Sequence, residues 1–267
     1  MKTNKIREML KSGKPTVCTR INSRWPSVTE LIGMTGCYDY IEFLAEYAPF
    51  DQFDLENIPR AAELHGMGSL IKIDFLNRGY VAQRAIASGF QAVLFTDHRN
   101  AAEVRETLKM IRPECPGHGD GIMGFANRRW IGHPGVKPQL EWADSTCDVV
   151  LALMIEKKEA IENIEEICAV PEVDMVQFGP YDYALSCGYN AKDNQDKVKD
   201  AEKRMIETAL KHGVRPRCEI RQPEQAEYYM KLGVKDIALG SELAILLEYW
   251  QGKGETLRKM MGDNGLK

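Results

Sequence analysis

The chain has 267 residues, 44% hydrophobic and 28% charged, with a formal net charge of -4, a balance ordinary for a globular protein that buries its core without staples. No basic face or arginine-rich run is present, which argues against nucleic acid as a partner, and no apolar run nears the roughly 18–20 residues that span a bilayer. The seven cysteines are odd in number and scattered, with no Cys-x-x-Cys pair, which argues against a disulfide framework or a zinc knuckle and for reduced thiols in a cytoplasm.

The first segment, MKTNKIREMLKSGK, is polar and amphipathic and lacks the apolar centre of a signal peptide. After it, short β-like runs alternate with helical ones. The spacing predicts strands at Thr16–Ile21, Tyr38–Leu44, Ser69–Ile73, Ala92–Phe95, Val149–Ile155, Val173–Phe178, Val214–Arg217 and Asp236–Leu239. They are short and rich in Val, Ile, Leu, Phe and Tyr, as strands buried on both faces are. Between them, Ala101–Ile111, Lys157–Cys168 and Gln195–His212 carry apolar residues at helical spacing. Gly89, Gly213 and Gly233 each precede a strand and read as helix stops. About eight strands and eight helices without a G-x-G-x-x-G loop favour a (β/α)8 TIM barrel, one domain over 1–267, over an open doubly wound sheet. One long glycine-rich loop, 113–146, interrupts the alternation after the fourth strand, and a strongly apolar stretch, Leu243–Trp250, marks a last helix over 240–261.

In such a barrel the active site lies at the C-terminal ends of the strands. The residues there are Glu46, Lys72, Asp74, Asp97, His98, Glu156, Asp182 and Glu219. Polar loop residues are common at strand ends, so single positions say little. Two stand out. Glu156 closes the apolar run VVLALMIE, and a carboxylate there must be solvated, paired or bound to a metal. Asp182 lies in QFGPYDYALSCG, where a Gly-Pro step ends the sixth strand and aims backbone N–H groups at the mouth. Two oxygen ligands on adjacent strands suit Mg2+ or Mn2+.

From Pro15 to Leu247 the sequence resembles the HpcH/HpaI-type class II aldolases of the phosphoenolpyruvate/pyruvate barrel superfamily. The resemblance is most specific over I-E-x-x-E-A-I-E-N-I-E-E-I (Ile155–Ile167) and V-D-x-V-x-F-G-P-x-D (Val173–Asp182). EYAPFD (Glu46–Asp51), IKI (Ile71–Ile73) and DGIMGFANRR (Asp120–Arg129) extend it. It implies a divalent metal, Mg2+ or Mn2+ with Co2+ as a third candidate, held by Glu156 and Asp182. It also implies pyruvate bound by Lys72, Gly179, Tyr181 and Asp182, an aldehyde as second product, and a trimer or hexamer joined through the last helix. Arg128, with Arg129 and Trp130, reads either as a contact to an anionic or aromatic part of a second substrate or as a subunit contact. The chain departs from the family where its catalytic histidine falls on Tyr47, that histidine's aspartate partner on Ala87, and its arginine on Lys72. Tyr47, Lys72, Asp97 and His98 are therefore the candidate catalytic groups, with Asp97–His98 able to supply a replacement acid or base. Metal-dependent aldol cleavage is the leading expectation. A different pyruvate or phosphoenolpyruvate reaction, and a non-catalytic 2-oxo-acid binder, are the alternatives.

Overall fold

The computed structural model describes residues 3–126, 128–129 and 137–262. Helix α1 (Lys5–Lys11) precedes β1 (Thr16–Ile21). Strand and helix then alternate through α2 (Pro26–Met34), β2 (Tyr40–Leu44), α3 (Asp54–Leu64), β3 (Gly68–Ile73), α4 (Tyr80–Ser88), β4 (Ala92–Phe95) and α5 (Ala101–Ile111). A short hairpin follows, β5 (Glu114–Cys115) and β6 (Gly119–Asp120), and then α6 (Gln139–Cys147). Next come β7 (Val150–Ile155), α7 (Lys158–Glu162), α8 (Ile164–Cys168), β8 (Met175–Phe178), α9 (Pro180–Ser186) and α10 (Gln195–Lys211). The chain ends with β9 (Arg215–Ile220), α11 (Ala226–Lys231), β10 (Asp236–Ser241) and α12 (Glu242–Met260). Leaving the hairpin aside, the strands close into a parallel barrel in the order β1–β10–β9–β8–β7–β4–β3–β2. All eight expected strands are present, with ends shifted by at most a few residues.

Alternation along each strand divides the apolar residues between two layers. Tyr40, Leu70, Ala92, Leu94, Ala152, Met154, Met175 and Ala238 form one buried cluster, which fills the barrel. Their neighbours in sequence, such as Ile41, Ile71, Val93, Leu151 and Val176, belong to a second cluster between strands and helices. This is the period-two pattern of a barrel wall. Ile6 of α1 packs into the inner cluster and closes the end where the strands begin. The other end stays open and polar. Helix stops follow expectation at Gly89 and Gly213, whose φ values of 118° and 74° lie in the left-handed region that favours glycine.

Two local expectations change. The helix expected over Lys157–Cys168 is two helices, α7 and α8, which meet at Asn163. The Asn163 side chain reaches across to the Arg99 carbonyl at 3.0 Å, a tertiary bond that holds Asn163 at the junction. Within the segment 113–146, the described residues include the β5–β6 hairpin and most of α6. Trp130 and His133 lie outside the described residues.

Candidate active site

Four neighbouring strands deliver charged groups to the open end. Just past β2 come Glu46 and Tyr47; Lys72 is the penultimate residue of β3; Asp97 follows β4; Glu156 and Lys157 follow β7. The carboxylates of Glu46, Asp97 and Glu156 converge so that one oxygen from each lies within 4.8 Å of the others. Glu156 is only 2% exposed. Its Oε1 accepts the Asp97 N–H at 3.1 Å. Asp97 has φ of 67°, and no other non-glycine residue among those described has a positive φ. Asp is among the residues that tolerate that region, at some cost, and the turn aims its N–H at Glu156.

Gly179 explains why the chain needs a glycine at the end of β8. A Cβ there would lie 2.7 Å from Glu156 Cβ and 3.0 Å from its Oε2. Any side chain at 179 would therefore push Glu156 from its place.

The electrostatics follow from burial. Loss of solvent pushes the Glu156 carboxyl up to about 7, against the pull of Lys72 and the Asp97 N–H, while the charges of Asp97 and Glu46 push the same way as burial. Lys72 pairs with Glu46. Burial lowers the Lys72 ammonium, but Glu46, Glu156 and Glu42 more than offset this and hold it above its ordinary value. Burial likewise opposes ionisation of Asp97, yet Lys157 at 2.7 Å and the Thr96 hydroxyl at 2.9 Å bring it below the usual carboxylate range.

Beneath this cluster, the barrel interior holds a second polar group. The fully buried Arg217 pairs with Glu42, and its Nε and Nη2 donate to the Tyr40 hydroxyl at 3.1 Å and to Cys18 Sγ at 2.8 Å. It also donates to Gln177, which in turn donates to Glu219, and Glu219 pairs with Arg20 at the rim. These partners of Arg217 help offset the desolvation of the buried pair, although Glu42 Oε1 is buried without a hydrogen-bond partner.

The other expected site residues fall in different places. Asp182 is exposed in the first turn of α9 and is not one of the three converging acids. Its charge still reaches the mouth, raising both Tyr47 and Lys157. Tyr181 is exposed beside it. Tyr47 is 84% exposed, and the charge of Glu46 is the main reason its phenol sits above its ordinary value. A phenol so placed stays protonated at neutral pH and is no general base.

His98 lies apart from the converging acids. It is fully buried behind β4, with Nε2 2.7 Å from the Thr107 hydroxyl of α5 and its ring edge-on to Phe95. Burial and then the Arg78 charge push it down to about 4, so it is neutral and turned away from the mouth. Arg128 pairs with Glu56 in the first turn of α3.

Sequence reading missed Lys157 and the Arg217 group. The signal for the latter was present, since Glu42 in YIEFL and Arg217 in RPRCEI are charges at inward positions of strands.

A divalent cation suits this donor set. Glu46, Asp97, Glu156 and Asp182 carry two more charges than Lys72 and Lys157 neutralise. Glu156, the most deeply buried of them, has no cationic partner within ion-pair distance among the described residues. Burial raises its carboxyl, and a bound cation would favour the ionised form again.

The sequence matches the model of the HpcH/HpaI aldolase/citrate lyase family over residues 46–248. The chain belongs to that family. It is 26% identical over 238 residues to the 5-keto-4-deoxy-D-glucarate aldolase of Klebsiella pneumoniae, covering 88% of this chain and 89% of that one. Among solved structures, an HpcH/HpaI aldolase/citrate lyase family protein from Burkholderia cenocepacia superposes with a TM-score of 0.86 at 22% identity, over 96% of this chain and all of that one. A citrate synthase superposes with a TM-score of 0.85 at 18% identity, over 98% and 100%. These likenesses show the closed parallel barrel fold, and family membership brings carbon–carbon lyase chemistry of the aldolase class.

Proposed function

We propose that this protein is a metal-dependent aldolase that cleaves a 2-oxo acid to pyruvate and an aldehyde, with Glu156 as the anchoring ligand of a divalent cation. One observation carries the reading: three carboxylates from three strands converge at the barrel mouth, against a buried lysine. Glu156 belongs both to this trio and to the pair suggested by resemblance, Glu156 with Asp182. Oxygen donors of this kind favour Mg2+ or Mn2+, with Co2+ as a further candidate. Such an ion, when bound, supplies Lewis acidity to the keto oxygen of the substrate.

The chain's own groups do the rest. Lys72, oriented by Glu46, offers a fixed positive charge to the keto and carboxylate oxygens. The N–H groups of Tyr181 and Asp182 lie in the first turn of α9, where helical N–H groups lack an intrahelical acceptor, and are free to hold the substrate carboxylate. Gly179 keeps that turn close to Glu156. Tyr47, a neutral phenol beside Glu46, stands at the rim as a proton donor. His98 takes no part. The enzymes named as relatives make a keto-deoxy sugar acid the first substrate to try. A second reading, bond formation from the same three-carbon unit onto another acceptor, is favoured by Tyr47 standing where the family's histidine falls. We further place the protein in the cytoplasm as a homo-oligomer; no described helix is long and apolar enough to cross a membrane.

The test is exchange of the pyruvate methyl protons with deuterium, followed by NMR with Mg2+ or Mn2+, beside retro-aldol assays on 4-hydroxy-2-oxo acids. Glu156→Gln is expected to abolish exchange and to weaken cation binding at least about a hundredfold. Asp97→Asn and Asp182→Asn tell which acid completes the site, by the larger loss of cation affinity. Exchange that survives in Glu156→Gln would end the assignment. Exchange without cleavage of any aldol would favour the second reading.

A further inference from the structure

The end of the barrel opposite the mouth, where the strands begin, holds a cavity of about 560 Å³ lined by Arg7, Arg105, Arg112 and His118 among others. Its walls are tightly built. The β5–β6 hairpin folds back over the end of α5, where the Ile122 N–H donates to the Lys109 carbonyl at 2.7 Å and the Met123 N–H to the Arg112 carbonyl at 3.0 Å. A Cβ on Gly121 would lie 1.9 Å from that Arg112 oxygen, so glycine alone lets the turn close here. Opposite, Arg7 of α1 is forked onto Asp174 and donates to the Asp148 and Val149 carbonyls.

The charges in this cavity do not all cancel. Arg7 is matched by Asp174, and Lys109 by Asp120 at 3.1 Å. Arg112 is different. It is buried, and among the described residues the one hydrogen-bond partner of its guanidinium is the Thr146 carbonyl near the end of α6. Among the described residues no carboxylate stands within ion-pair distance of it. The acidic groups whose charge it feels are the Cys147 thiol, a weak acid, then Asp174, already held by Arg7, and Glu172 at the rim. One carbonyl uses one of five guanidinium donors, and a buried cation without a counter-charge is costly to keep. Arg105 lies on the same face of α5, seven residues earlier, exposed and without a described partner. The His118 ring bonds Asp144 through Nε2 at 2.8 Å and leaves Nδ1 without a partner.

We propose that this cavity is a second ligand site, which binds a small dianion of the phosphate class between Arg112 and Arg105, remote from the catalytic mouth. A guanidinium matches two oxygens of such an anion at once, and the volume suits a small phosphorylated metabolite rather than a polymer. The site is independent of the reaction at the mouth, so its occupancy acts on the fold by mass action.

Titration calorimetry and thermal denaturation with inorganic pyrophosphate, in EDTA and against sulfate and chloride at matched ionic strength, test this. Saturable pyrophosphate binding with a rise in Tm is expected for the wild type. Arg105→Glu should weaken it at least about tenfold, the worth of one charge-assisted contact, with Tm unchanged when no anion is added. Arg112→Met should abolish it; should that variant not fold, the Arg105→Glu comparison decides alone. Glu156→Gln should bind as the wild type does. Absence of saturable binding, undiminished binding by Arg105→Glu, or loss of binding in Glu156→Gln would each overturn the proposal.

Discussion

Glu156 shows how far one side chain can be argued from first principles. The sequence exposes it, because a carboxylate closing a run as apolar as VVLALMIE has few fates. The structure adds the consequence, a carboxyl raised from 4.5 to about 7 chiefly by burial. An acid whose folded pKa exceeds its unfolded one binds its proton more tightly in the fold. Its stabilising contribution is full below about pH 4.5 and is lost as pH rises through 7, a swing on the order of 3 kcal/mol. Metal-free wild-type protein should therefore lose Tm between pH 5 and 8, by about 5 °C or more, and Glu156→Gln should show a flatter profile over the same range. Equal slopes in the two proteins, read by circular dichroism, would mean that Glu156 is not the titrating group. Apparent cation affinity should fall about tenfold per pH unit below 7 as protons compete for the ligand. Asp97 and Lys157 were harder to read, since their meeting at 2.7 Å joins residues 60 positions apart and depends on a left-handed turn. That turn also explains the misreading of His98. By alternation His98 belongs on the inner side with Ala92 and Leu94; the positive φ at Asp97 breaks the alternation and swings it outward.

At the scale of elements, the same histidine becomes a fastener. His98 bonds Thr107, and Thr107 also takes a bond from Arg78 at 2.9 Å and donates to the Glu103 carbonyl. The end of β4 is thereby tied to the middle of α5 and to the loop before α4. His98→Leu keeps volume but removes this bond, and should cost about 1–2 kcal/mol in urea unfolding while leaving kcat within about threefold. A folded His98→Leu protein without activity would return the residue to the chemistry. The barrel strands were legible because burial on both faces forces unbroken apolar runs bounded by glycine stops. The α7–α8 break was not, because Asn163 is an ordinary helix-surface residue in sequence and gains its meaning from the Arg99 carbonyl. Nor was the hairpin after α5, whose strands are two residues each and carry no period.

Across the whole molecule, α12 is the element the barrel does not account for. It begins well anchored, with Glu242 accepting the N–H groups of Asn22 and Ser23, and Glu242 is its one buried residue. Beyond that, Leu243, Ile245, Leu246, Leu247, Tyr249 and Trp250 are all exposed, Leu247 and Trp250 at 64% each. An apolar face of this extent is rare on a soluble monomer and marks a contact with something else. The family resemblance implies that a second copy of the chain covers it. Such an interface must be self-complementary or ring-closing, so one charge placed in its centre is repeated at every contact. Leu247→Glu with Trp250→Glu should shift the protein from oligomer to monomer in light scattering coupled to size exclusion, and the shift should be steepest at low concentration. The mouth is built from β2, β3, β4, β7 and α9, which α12 does not supply, so cation binding should survive the change even where Tm falls. A doubly charged variant of unaltered mass would mean that copies of this chain meet elsewhere. The exposed leucines of α12 would then have to be explained by a partner of another kind.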